Sequence, residues 1–457
     1  MPPAMSPPSA RRLPVRAIAA AVVIVLSVPA TAQSVLRDAE TEALFNDVAR
    51  PLIVAAGLTP ASVQIVLVGD PEINAFAGGG QNVFIHSGLI ENADTVNWLQ
   101  GVIAHELGHI SGGHNVRSGE AITRASHISI LSLIAAVGLA AAGAPDAGIA
   151  ALGLGTAGAQ ASVLSYSRNQ ESSADLAGAQ FLAKAGLSGR GSIGFFHKLQ
   201  GLEYRAGVKQ TNSYGRTHPL DGERIAVLET VYKASPAWNT PPDPALEARF
   251  QRVKAKLTGF VEEPARTFQL YPETLATEPA RYAHAYAWHK SAYPGAAVRD
   301  VDALLAAHPA DPFYLELKGQ ILLESGQAKA ALPVLRAAVA AAPKQPLIAT
   351  LLGHALITTE DPADFAEAKP LLRRAVVADR ENPFAWYELG VVYDREGDTA
   401  RASLATAERF DLEGDSARAA ANAKVALAGL PAGSRDWLRA DDIAQVAQNA
   451  LAKKKRR

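Results

Sequence analysis

Apolar residues recur at helical spacing along most of this chain, and the departures from that spacing cluster near its start. Leu36, Ala39, Ala43, Leu44, Val48 and Leu52 share one face of residues 35–56 and predict an amphipathic helix. "SVQIVLVGDP" is a compact apolar run closed by a turn, which predicts a strand. "INAFAGGGQNVFIHSGLI" holds two short extended pieces around three glycines, a hairpin-like arrangement. From Thr95 the helical spacing returns. Val96, Leu99, Val102, Ile103, Leu107 and Ile110 fall on one broad face, and "GGHN" ends it. "SYSRNQESSADLAGAQFLAKAGL" predicts another amphipathic helix, closed by Gly186, and a loop containing "GRTHPLDGERIAVLE" leads into a further one.

Between these helices, residues 128–164 are rich in alanine, glycine and leucine. "ISILSLIAAVGLAAAGA" and "IAALGLGTAGAQASVL" are split by "PDAG", and each is shorter than the ~20 residues a comfortable membrane span needs. Two packed helices with close backbones are the preferred reading, ahead of a lid-forming hairpin or a peripheral membrane contact. The proline-rich stretch 235–247 marks a boundary or a long connection.

Beyond residue 279 the pattern repeats. Pro312, Pro346 and Pro383 are 34 and 37 positions apart, and Gly319, Gly353 and Gly390 keep the same offset from them. "TTEDPADF" lengthens a turn in the longer step. "WYELGVVY" (386–393) fits the start of a tetratricopeptide repeat, whose period is 34. Pro279 begins an earlier, weaker unit. Each unit predicts a helix pair that buries its apolar side only by stacking on its neighbours, hence an α-solenoid.

Composition adds compartment and exclusions. Arg11, Arg12 and Arg16, the apolar run "AIAAAVVIVLSV" and small residues at Ala30 and Ala32 predict an export signal over 1–32, cut between Ala32 and Gln33. Losing three of 44 basic residues leaves 41 against 45 acidic ones, which gives no electrostatic case for nucleic-acid binding. There is no cysteine, so disulfides and thiolate metal sites are excluded. An exported chain of this kind is expected in the periplasm. The final "KKKRR", 453–457, reads as a solvated basic tail.

The candidate chemistry sits on the helix that starts at Thr95. His105 and His109 are four residues apart, so their imidazoles leave the same face one turn apart and suit two corners of a zinc tetrahedron. Glu106 lies beside them, placed to take a proton from a water at the metal and pass it to a leaving amine. This is H-E-x-x-H. A third ligand is required. His114 falls one residue short of the H-E-x-x-H-x-x-G-x-x-H spacing, which needs residue 115, here Asn115, so it reads as a helix-end residue or one behind the ligands. Glu171 is the better candidate, 62 residues after His109. Asp175, one turn further on, is placed to accept the outer N–H of a ligand histidine, for which His105 is the expected partner.

His105–His109, "RNQESSAD" and "THPLDGER", with "INAFAGGGQNVFIHSGLI" before them, resemble the zinc endopeptidases related to the CAAX prenyl protease and the HtpX heat-shock protease. The resemblance covers roughly residues 40–235. It implies one Zn²⁺ per chain held by His105, His109 and Glu171. It also implies a role near the metal for His218, as an oxyanion donor or as a fourth ligand in a resting form. Arg224 matches the arginine that follows that histidine in the family and is carried over as a catalytic candidate, with a simple ion pair on its own helix as the alternative. Substrate would lie along "NVFIH" as an added antiparallel strand, with Val83, Phe84 and Ile85 on one side and Asn74, Ala75, Phe76 and Ala77 lining the same cleft, or the segment is simply a core hairpin, which the glycine-rich connection equally allows.

The expected architecture is mainly α: a zincin-type α+β metalloprotease domain with a small sheet and an active-site helix, then a solenoid of tetratricopeptide-like helix pairs. The expected boundaries are 1–32 signal, 33–260 protease, 261–278 linker, 279–452 repeats and 453–457 tail. The expected activity is hydrolysis of misfolded or stalled exported and outer-membrane proteins, with the repeats holding substrate or an assembly machine. A chaperone or adaptor with a latent metal site is the other reading.

Overall fold

The computed structural model describes residues 34–114, 154, 167–206, 214, 218 and 222–455. The expected signal, nearly all of the 128–164 segment and the last two residues of the basic tail lie outside the described residues. No described helix is long and apolar enough to cross a membrane. From Val35 onward the chain belongs to one compact unit.

Four short strands make one sheet. They are β1 (Ser34–Leu36), β2 (Gln64–Gly69), β3 (Ala75–Gly78) and β4 (Asn82–His86), in the order β1-β2-β4-β3. β2 runs parallel to β4, with Gln64 opposite Asn82 and Val68 opposite His86. β3 pairs antiparallel to β4, with Ala75 opposite Ile85. The hairpin between them turns at Gly79 and Gly80, whose φ angles of 52° and 96° a side chain would strain.

Helix α1 (Ala39–Ala55) starts later than its apolar spacing predicts. Val35 and Leu36 are taken into β1, and Asp38 caps the helix by accepting from the Thr41 N–H at 2.7 Å. After α2 (Ser87–Asn92) comes α3 (Val96–Ser111), which carries the two motif histidines. Its Val96, Leu99, Ile103 and Leu107 join Leu44, Val48 and Leu52 of α1 and Val83 and Ile85 of β4 in a single core. The helix at 167–184 (α4) is followed by α5 (Arg190–Ala206), α6 (Gly222–Lys233) and α7 (Pro244–Val261). α3 is therefore enclosed on nearly every side, the position in which polar side chains need partners.

A short α8 (Pro264–Leu270) lies within the expected linker. Five helix pairs follow: α9 (Glu278–Lys290) with α10 (Pro294–Ala307), α11 (Pro312–Glu324) with α12 (Ala328–Ala341), α13 (Pro346–Thr358) with α14 (Pro362–Ala378), α15 (Pro383–Arg395) with α16 (Thr399–Leu412), and α17 (Ser416–Gly429) with α18 (Arg435–Lys455). Proline opens several of them at the first turn, where its missing N–H costs nothing. At two of its three positions, Gly319 and Gly353, the recurring glycine has a steric cause. A Cβ on Gly319 would meet Leu335 at 2.3 Å, and one on Gly353 would meet Leu372 at 2.6 Å. Each glycine thus lets the second helix of its pair seat a leucine against the first. α1 also packs on the repeats, with Ala39 clustered against Ala338 and Ile348.

Candidate metal centre

α3 and α4 cross at very short range. A Cβ on Gly108 would lie 2.5 Å from the Ala174 carbonyl oxygen, and one on Gly178 would lie 3.1 Å from the backbone of Ala104. Small residues at the crossing bring the faces of both helices within reach of short side chains. His105 and His109 stand one turn apart on α3, their Nε2 atoms 3.1 Å from each other. Glu171 reaches across from α4, with Oε2 3.4 Å from His105 Nε2 and Oε1 3.3 Å from His109 Nε2. His218 closes the group: its Nδ1 is 3.2 Å from His105 Nε2 and 3.1 Å from each Glu171 oxygen. One ligand atom from each of these four buried residues lies within 4.8 Å of the others.

The surroundings tune these groups in opposite directions. Burial opposes charge on Glu171, but hydrogen bonds from His105, His109 and His218 outweigh it and hold the carboxyl far below the usual range. Burial likewise opposes charge on Asp175, and hydrogen bonds from Arg224 and His105 hold it low. His105 loses basicity to burial and regains more from Asp175 and Glu171, so in the metal-free protein it is pushed up to about 10. His109 is lowered, by burial first and by neighbouring His105, although Glu171 pulls the other way.

Asp175 is where its spacing from Glu171 predicts, with Oδ1 2.9 Å from His105 Nδ1. Arg224 pairs across helices, not along its own. It donates from Nε to Asp175 Oδ2, and from its terminal nitrogen to Asp175 Oδ1 at 2.8 Å and to Glu171 Oε2 at 3.0 Å. Its guanidinium is therefore engaged in holding both carboxylates. Glu106 is fully buried, and its Oε1 is 3.5 Å from His218 Nε2. Both Glu106 carboxylate oxygens and His218 Nε2 are sealed from solvent without a hydrogen-bond partner among the described residues. Lone pairs and a carboxylate aimed at one point repel one another unless a cation or protons sit among them. Imidazole nitrogens with one carboxylate are a donor set that suits a divalent first-row metal, so the residues fit a metal ion.

The substrate-strand expectation needs correcting. β4 is flanked by β2 on one side and β3 on the other, so "NVFIH" has no open edge for an added strand. The buried side chains of Val83 and Ile85 belong to the core. Among the described residues the edge strands are β1 and β3, and β3, Ala75–Gly78, is the one beside β4 and next to Asn74. Phe76 and Phe84 stack with centroids 4.9 Å apart on that face. Three further participants escape sequence reasoning: Gly108 at the helix crossing, Ser173, and Tyr214, whose ring centroid is 4.5 Å from that of His218. None carries a motif of its own. Only the H-E-x-x-H glycine could have been flagged, as a small residue on a buried helix face.

A cluster of this kind on a buried H-E-x-x-H helix defines a metal-dependent hydrolase. Residues 36–232 match the model of Peptidase family M48, and the protein is a metalloprotease. Similar curated proteins include a beta-barrel assembly-enhancing protease from Yersinia pestis, 26% identical over 87% of this chain and 81% of its own length. Another is a putative beta-barrel assembly-enhancing protease from Vibrio cholerae, 35% identical over 42% of this chain and 39% of its own length. Among solved structures, the tetratricopeptide protein YrrB aligns with 38% of this chain and 91% of its own at 21% identity and a TM-score of 0.32.

Proposed function

We propose that this protein is a periplasmic zinc metalloendopeptidase acting on misfolded or stalled exported and outer-membrane proteins. Its helix pairs hold the substrate or the machinery that assembles it. The observation that carries the reading is the convergence of His105, His109, Glu171 and His218 within 4.8 Å, beside a fully buried Glu106 whose carboxylate has no other partner among the described residues. The names of the similar proteins support the substrate class, and the signal-like start supports the compartment.

His105, His109 and Glu171 would hold the zinc. A zinc ion there supplies Lewis acidity, lowering the pKa of a water and polarising the scissile carbonyl. Glu106 would serve as the base that takes a proton from the attacking water and returns it to the leaving amine. Asp175 Oδ1, 2.9 Å from His105 Nδ1, would accept the outer N–H of His105 and fix its tautomer, while Arg224 holds Asp175 and Glu171 in place. Substrate lies along the open edge of β3, Asn74 to Ala77, bound by main-chain hydrogen bonds with little side-chain selectivity. The test is Glu106→Gln on the purified chain. Zinc content should stay at one per chain while cleavage of an unfolded exported protein is lost; undiminished turnover would remove Glu106 from this role.

A latent state of the same site is favoured by one observation, the closeness of His218 Nδ1 to His105 and Glu171. If His218 fills the fourth corner at rest, His218→Ala raises activity. If it stabilises the oxyanion instead, the same change lowers it. An adaptor whose protease is mostly shut corresponds to the first outcome combined with full rescue of a deletion strain by Glu106→Gln.

A further inference from the structure

The two motif histidines are backed in different ways. His105 presents its outer nitrogen to a carboxylate, Asp175. His109 presents its outer nitrogen, Nδ1, to His114 Nδ1 at 3.0 Å. The far side of the His114 ring continues outward: its Nε2 is 3.1 Å from Ser173 Oγ, and Ser173 Oγ donates to the Gln170 carbonyl at 2.9 Å. Gln170 in turn donates from its side chain to the His114 carbonyl at 3.3 Å. Ser173 and Gln170 flank Glu171 on α4, so this chain of contacts ties the end of α3 to the helix that carries the distant carboxylate.

With His109 Nε2 kept free for a cation, one set of proton positions satisfies these contacts among the described residues. His109 Nε2 faces the ligand centre and must keep its lone pair to bind a cation, so the proton of the neutral ring is on Nδ1. His114 Nδ1 must then accept it, which puts the His114 proton on Nε2. That N–H donates to Ser173 Oγ, leaving the hydroxyl hydrogen for the Gln170 carbonyl. The relay is directional and ends on a backbone acceptor that never needs to change state.

The backbone is shaped for it. Gly113, at φ 63°, lets the chain leave α3 and bring residue 114 back over the helix end. At Gly112, φ is an ordinary −75°, so glycine is not needed there for the turn. A Cβ would instead meet His114 at 2.5 Å from Nε2 and 2.9 Å from both Cδ2 and Cε1. The glycine leaves room for an imidazole held at both ends, which has no freedom to move aside.

We infer that His114, with Ser173 behind it, is a positioning group that fixes the tautomer and orientation of the His109 ring for metal binding. It does so as a neutral counterpart to the Asp175 carboxylate behind His105. The inference rests on the metal-site reading above. Its consequence is an asymmetric site. Removing Asp175 changes the charge around the metal, whereas removing His114 changes only the aim of one ligand.

The test is zinc affinity by chelator competition on the full chain, read together with ¹⁵N NMR of the ring nitrogens. His114→Phe keeps the ring and loses both polar atoms, and should weaken zinc binding by roughly 10–100-fold. His114→Asn, which returns an acceptor near the Nδ1 position, should restore most of that loss. Gly112→Ala should weaken binding without removing any polar group, and Ser173→Ala should do so by a few fold. In the wild type, His114 should carry its proton on Nε2 and His109 on Nδ1, a signature that a merely space-filling histidine would not require. Wild-type affinity in His114→Phe, or a proton on His114 Nδ1, overturns the inference while leaving the metal site standing. Should His114→Phe not fold, Ser173→Ala and the NMR assignment decide. A wild-type chain that takes up no zinc at all overturns the metal-site reading itself, and this inference with it.

Discussion

Among the described residues, two buried clusters of ionisable side chains are built on opposite principles. Around Glu171, ligand atoms converge on one point, and the oxygens of Glu106 and His218 Nε2 meet no hydrogen-bond partner among the described residues. Around Glu40, where the start of α1 and α7 meet the repeat helices, charges are matched. Arg252 pairs with Glu40 at 2.5 Å and with Asp311 at 2.7 Å, Lys256 pairs with Asp38 at 2.5 Å, and the Tyr282 hydroxyl donates to Glu40 at 2.7 Å. The Arg252 guanidinium also lies 4.1 Å over the Tyr314 ring. Matched charges joining distant segments describe a joint. Unmatched acceptors aimed at a common centre describe a place for something else. The distinction is geometric, because both clusters are acidic, basic and buried.

The comparison can be broken at several points. The largest effect is expected on the convergent side. Glu106→Gln should cut peptide turnover by about 10²–10⁴-fold with unchanged zinc content and unchanged melting temperature, since no fold contact depends on that carboxylate. On the matched side, Arg252→Ala should cost about 2–4 kcal/mol in denaturant unfolding, because half-buried Asp311 loses its cation and buried Glu40 keeps only the Lys256 cation, 3.4 Å away. Zinc stoichiometry of the folded fraction should not change. Gly108→Ala tests the helix crossing. Its Cβ would strike the Ala174 backbone, and a loss of about 1–3 kcal/mol accompanied by weaker zinc binding is expected.

The smallest effect concerns Glu316 of α11, beside the matched cluster. Burial first, then Asp38, Glu40 and Glu42, push its carboxyl up to about 8 against the pull of Lys256. The folded state therefore holds the proton more tightly than the unfolded chain does. The stability this contributes is complete below the ordinary carboxylate range and is lost as pH rises through about 8. Glu316→Gln should melt with the wild type at pH 4 and measurably above it at pH 9. Equal melting temperatures at both would mean that Glu316 ionises freely in the fold.

Much of this was readable in the residues themselves. The i, i+4 histidines, the 34-residue step of Pro312 and Pro346 and the glycines seven residues after them are local signals, each with a local cause: a shared helix face, a helix start, a seat for leucine. What was not readable depends on meetings between distant segments. "NVFIH" reads as one arm of a hairpin with its other edge open, and only the additional pairing with β2 makes it interior. Arg224 has no acidic partner marked by spacing, because Asp175 is 49 residues away on another helix. The last helix pair carries neither the proline nor the glycine marker, since Ala419, Ala423 and Ala426 already allow close packing. Single contacts in the Arg252 cluster join residues up to 242 positions apart, as between Tyr282 and Glu40, and no periodicity points to it.

Anomalous scattering at the zinc edge, on metal-replete crystals of the purified chain, tests the central claim most directly. A single strong peak within bonding distance of His105 Nε2, His109 Nε2 and a Glu171 oxygen is the expected result. A featureless map at that point, with those side chains ordered, would contradict it.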